Sequence, residues 1–139
     1  MVNQSIVKAK ITHIENNLQR LKEKQNISLS ELKKNQDLQD IILHNLQLSI
    51  QGCIDIASHI ISDQGWAVPD TMAGLFDTLV KHTIIPAELN VKLKNMVGFR
   101  NIIIHEYEVI DLNKVHKVLI HDIKDIYAFI KQICNYTKI

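Results

Sequence analysis

Residues 100–107 read RNIIIHEY, an arginine, an asparagine, a histidine and a tyrosine set around three consecutive isoleucines. A histidine such as His105 exchanges a proton near neutral pH, and an arginine such as Arg100 keeps its charge and presents a planar fork of donors to an anion. Together they suit cleavage of a phosphodiester. One moves protons while the other stabilises the anionic phosphorane. No metal is needed where an RNA supplies its own 2′-OH as nucleophile. The plain rival is a buried Arg100 paired with an acid, with His105 and Tyr107 merely closing a helical bundle.

The helix that would carry these residues sharpens the choice. Leu89, Leu93 and Met96 are spaced 4 and 3, and the next such steps land on Arg100 and Ile103. Arg100 therefore occupies a row that should be buried, where a guanidinium needs a carboxylate, a backbone partner or a wet cleft. Asn101 and His105 share a neighbouring face with Gly98. Arg100 and His105 point about 140° apart on a regular helix. Both reach one substrate only if the helix ends near His105, if Arg100 bends its side chain round, or if two chains contribute.

Other polar residues offer less. Asp55 lies opposite the core stripe of its helix, one turn before His59. It can line a cleft or pair with Arg100, and an exposed pair with His59 is the safer reading. His116 and His121 are five apart, which is not zinc spacing, and no third ligand is evident, so no metal site and no cofactor is expected. His13, His44 and His82 fall on faces expected to be solvated. Lys92, Lys94, Lys114 and Lys117 flank the motif and either guide RNA or form a solvated face. Trp66 and Phe76 read as packing residues.

The elements that must position these groups are helices. Val7, Ile11, Ile14, Leu18 and Leu21 lay a stripe along a helix over 3–24. Ser28 and Glu31 have the form of a capping box before a second helix, roughly 30–63. Gly52 marks a close helix approach there, and Gly65 suits a left-handed stop. Asp70 can cap a third helix over 71–82, and Pro86 fits the first turn of a fourth that runs toward 104. Asp111 or Asn113 starts a fifth over 112–136. No strand alternation persists, so the chain reads as all-α: a single helical bundle of about five helices spanning residues 1–139.

Composition narrows the function. The 139 residues suffice for one domain with a sizeable core. A formal charge of +1 argues against a generic nucleic-acid binder. Any RNA contact must come from a local site or an oligomeric cleft. Cys53 and Cys134 fall on apolar faces and read as reduced core thiols of a cytoplasmic protein. No segment reads as a secretion leader or a membrane span.

Arg100, His105 and Tyr107 stand in an arrangement that resembles the R-x-x-x-x-H-x-Y motif of HEPN-domain ribonucleases. The wider text LQLSIQGCIDIASHIISDQGWAVPDTMAGLF and LKNMVGFRNIIIHEYEVIDLNKV resembles the HepT-type toxins of that superfamily, over roughly residues 38–133. The resemblance implies a homodimer whose two motifs face each other across a composite cleft, which would remove the angular difficulty. It implies a metal-independent ribonuclease, the toxin of a type VII HepT/MntA toxin–antitoxin pair. Arg100 would bind the scissile phosphate, and His105 would act as general acid and base. Asn101 would orient His105 or bond the substrate, and Asp55 is a further auxiliary candidate. The implied partner is an MntA-type minimal nucleotidyltransferase that neutralises the toxin by adenylylating the motif tyrosine, here Tyr107. The alternative is a non-catalytic HEPN module that presents a substrate or nucleotide to the nucleotidyltransferase.

Overall fold

The structure, a computed structural model, describes residues 2–105 and 109–139. Asn3 opens α1 (Gln4–Lys22) by accepting the Ile6 N–H at 3.2 Å, and the five residues of its apolar stripe are all buried. α2 (Leu29–Lys34) starts on the expected capping box between Ser28 and Glu31. Asn35 then leaves the helical region and its side chain accepts the Leu38 N–H, so that α3 (Gln36–Asp63) begins afresh. The helix expected over 30–63 is therefore two. The break comes from an asparagine competing for backbone donors, with no glycine or proline to announce it.

α3 is the central element, packing against α1, α2, α4, α5 and α7. A Cβ at Gly52 would overlap Ile14 Cγ1, so glycine is what lets α1 and α3 touch. The helix stops at Gly65, whose φ of 71° suits glycine, and Trp66 N–H returns to the Ile61 carbonyl at 3.1 Å. Trp66 stacks on His82 with ring centroids 3.5 Å apart, which places His82 half-buried in packing rather than on a solvated face.

α4 (Met72–Lys81) is capped by Thr71, whose Oγ1 accepts the Gly74 N–H at 3.0 Å, and not by Asp70. The first turn begins one residue later than the sequence suggests. α5 (Ala87–His105) starts just after Pro86, whose carbonyl accepts from Asn90. Asp111 caps α6 (Leu112–Lys117), which continues through a π turn (Val118–Asp122) into α7 (Lys124–Thr137). The wider turn is closed by Ile123 N–H to the Val118 carbonyl, and Val115, Leu119 and Ile123 are all buried through it. Their spacing of two successive steps of four does not set it apart, since Ile42, Leu46 and Ile50 show the same spacing in regular α3.

Among the described residues seven α-helices stand where spacing predicts about five, and no strand occurs. One continuous core joins them, with Phe76 of α4 meeting Phe129 of α7 edge to face. No helix among the described residues is long and apolar enough to cross a membrane.

Candidate active site

α5 buries Leu89, Leu93, Met96, Val97, Phe99 and Ile103 against α3, α4 and α7, which fixes its rotation. That rotation carries Arg100 to the edge of the core, half-buried, and turns Asn101 and His105 to the outside. The helix stays regular through His105, the last residue described on it, so the wide angle between the two motif side chains persists.

Arg100 reaches across to α3 and α4. Its Nη2 donates to Gln51 Oε1, and its Nη1 donates to Asn101 Oδ1 at 3.0 Å and faces the Met72 sulfur at 3.6 Å. Gln51 in turn donates through Nε2 to Asp55 Oδ1 at 2.8 Å. An amide therefore stands between the guanidinium and the nearest carboxylate of this chain of bonds. Arg100 Nε is enclosed and has no hydrogen-bond partner. An enclosed donor left unbonded costs on the order of 1–3 kcal/mol, and His59 Nε2 and Asn90 Oδ1 are enclosed and unbonded in the same way.

Asp55 neither pairs directly with Arg100 nor pairs with His59. His59 instead lies 3.4 Å from Asp63, the residue one turn further on. Asp55 is half-buried and lines, with Gln51, a groove of about 350 Å³ between α1 and α3. Asn101 is tied to Arg100 rather than to His105. His105 is exposed and makes no hydrogen bond to another described residue, leaving its imidazole free for a substrate or a second chain. The exposed side chain of Ile104 lies between Arg100 and His105 on the helix, and exposed Ile102 flanks His105. Tyr107 lies outside the described residues.

Gln51 is the site residue that the spacing argument passes over. It lies four residues before Asp55 and off the core stripe, a spacing at which Gln–Asp pairs bond on a helix surface. Of the remaining histidines, His13 lines the same groove as Gln51 and Asp55. His116 Nε2 lies 3.0 Å from the Ile27 carbonyl, while His13, His44 and His121 are exposed. No group of three His, Cys, Asp or Glu residues among those described could hold a metal ion.

The fold is thus an all-helical bundle among the described residues, with R-x-x-x-x-H carried on α5. The Ribonuclease HepT-like family matches residues 14–133, and the chain belongs to that family. It is 38% identical over 101 residues to the mRNA nuclease HepT of Shewanella oneidensis, covering 73% of this chain and 76% of that one. It is 31% identical over 131 residues to the tRNA nuclease HepT of Aphanizomenon flos-aquae, covering 94% and 89%. A solved toxin–antitoxin structure with AMP-PNP superposes with a TM-score of 0.86 at 33% identity, over 94% of this chain and 98% of its own. The tri-AMPylated Shewanella oneidensis HEPN toxin in complex with MNT antitoxin superposes at 0.85 with 34% identity, over 95% and 98%.

Proposed function

We propose that residues 1–139 form a single HEPN-like domain that acts in the cytoplasm as a metal-independent endoribonuclease, the toxin of a HepT/MntA pair. The observation that carries this reading is the state of Arg100. Among the described residues its Nη groups meet only the uncharged Gln51, Asn101 and Met72, and the Gln51 amide separates it from Asp55, so no described carboxylate neutralises its charge.

The chemistry follows from the two motif groups. The 2′-OH of the RNA attacks the adjacent phosphorus, and its proton passes to a histidine acting as base. The P–O2′ bond forms and the P–O5′ bond breaks, with a proton delivered to the departing 5′ oxygen. Arg100 holds the non-bridging oxygens as their charge grows. Because Arg100 and His105 diverge on α5, each cleft is completed by a second copy of the chain, with Arg100 from one protomer and His105 from the other. The exposed Ile102 and Ile104 beside the motif supply apolar area for that contact.

Tyr107 is the regulatory site in this reading. Its adenylylation by an MntA-type nucleotidyltransferase adds bulk and negative charge beside the arginines, which repels an incoming phosphate. The tri-AMPylated toxin among the structural relatives supports this assignment.

Inducible expression of the protein without its partner, followed by sequencing of RNA ends, tests the proposal. Growth arrest and new RNA ends with the intact protein, and neither with His105→Ala, is the expected outcome. Identical RNA ends from both proteins would overturn it.

A further inference from the structure

On the face of α5 next to Arg100, that helix meets α6, the π turn and α7 around a cavity of about 290 Å³. Its volume is near the lower bound of ligand sites, about 300 Å³. Met96 and Phe99, both in the core, give it an apolar floor, and Val118 and Asp122 of the π turn form one wall. Its rim is lysine: Lys92 from α5, Lys114 and Lys117 from α6, and Lys124 from α7.

Two of these cations are partly satisfied. Lys117 Nζ lies 3.0 Å from Asp122 Oδ2, and Lys92 Nζ lies 3.7 Å from Asp125 Oδ1. Lys114 and Lys124 are exposed, and among the described residues neither is held in an ion pair. Four cations against two carboxylates leave a surplus of two positive charges in one small concavity, while the whole chain carries only +1. Such local concentration over low-dielectric walls focuses the field on an anion.

The cavity is also close to the motif. Phe99 on its floor immediately precedes Arg100 and projects about 100° round α5 from it, and Lys92 lies eight residues earlier on the same helix, about 12 Å along the axis. A strand whose scissile phosphate sits at Arg100 reaches this rim within a few nucleotides. We propose that the cavity is a subsite for the RNA strand flanking the cleaved bond. Lys114 and Lys124 neutralise its phosphodiester oxygens, and Met96 and Phe99 underlie a base or ribose. This rests on the ribonuclease reading and adds to it the place where affinity for a longer strand resides.

The test pairs Lys114→Gln with Lys124→Gln, because removing Lys117 or Lys92 would strand a carboxylate. Binding is measured in a His105→Ala background with a fluorescein-labelled single-stranded RNA of about a dozen nucleotides, over a range of salt concentrations. Loss of two phosphate contacts should weaken binding and flatten the slope of log K against log salt by about 1.4, at about 0.7 per contact. With His105 intact, the same pair should raise KM and leave the rate at saturating RNA unchanged. Unchanged affinity and slope, while the unmutated protein still cleaves RNA, would overturn the subsite and spare the nuclease reading. Unchanged RNA binding with weakened neutralisation by a coexpressed antitoxin would also overturn it, making the cavity a protein-docking site. A protein that cleaves no RNA at all would remove the nuclease reading, and the subsite with it.

Discussion

Gln51 separates Arg100 from Asp55: it accepts from the guanidinium on one side and donates to the carboxylate at 2.8 Å on the other. The amide orients Arg100 without neutralising it. Replacing Gln51 with glutamate should therefore do more harm than its small change in shape suggests. The new carboxylate would bind Arg100 directly and stand against Asp55. Hydrogen bonds to charged groups are worth about 1.5–3 kcal/mol, so RNA cleavage should fall by about tenfold to a hundredfold. Cleavage rates and circular dichroism of Gln51→Glu check this, with the helical signal expected to persist.

Removal of the motif groups themselves should be more severe. Arg100→Ala should lower the cleavage rate by about 10²–10³-fold and His105→Ala by about 10²–10⁴-fold, the ordinary ranges for a lost anion stabiliser and a lost proton-transfer group. Sedimentation should show both variants assembling as the unmutated protein does.

Two helical glycines should respond in opposite ways to alanine. At Gly52 the added methyl meets Ile14, which is itself buried, so Gly52→Ala should destabilise the fold by about 1–3 kcal/mol in urea unfolding. At Gly98 nothing lies within 4 Å of the added methyl. Gly98→Ala should then raise folding stability by up to about 1 kcal/mol, the helix preference of alanine over glycine. Gly98 shares the outward face with Asn101 and His105, so the same change should reduce cleavage by crowding the second copy.

The thiols supply a pH prediction. Burial, aided by the charge of Asp55, pushes the Cys53 thiol well above its ordinary value of 9.0. Burial and then Glu15 also raise Cys134, though less of it is enclosed. The folded state therefore favours the neutral thiol. Its contribution to stability is complete below pH 9 and declines as pH rises above it, where the unfolded chain ionises first. Thiol titration with an aromatic disulfide at pH 8 should leave Cys53 unreacted in the folded protein and count both thiols after denaturation.

The stripes of α1, α3, α5 and α7 were legible in the sequence because each repeats an apolar residue at helical spacing over several turns. The break at Asn35 and the Thr71 cap were not, since both depend on which polar side chain wins a backbone N–H, and neighbouring residues compete on nearly equal terms. The π turn was not legible either, because Val115, Leu119 and Ile123 carry the same spacing as Ile42, Leu46 and Ile50 in regular α3. Within the site, the burial row of Arg100 and the divergence of His105 followed from periodicity alone. The partners of Arg100 did not, because Gln51 and Met72 come from helices whose contact with α5 only the packing decides.

In the proposed dimer each cleft takes Arg100 from one chain and His105 from another, and subunit complementation tests that sharing. Arg100→Ala and His105→Ala proteins are unfolded together in equal amounts, refolded, and assayed for RNA cleavage. Random pairing puts half of the dimers in mixed form, each with one complete cleft of two, so the mixture should recover about a quarter of the unmutated activity. A mixture no more active than either variant alone, with mixed dimers shown to form, would mean that the two chains do not share a cleft in this way.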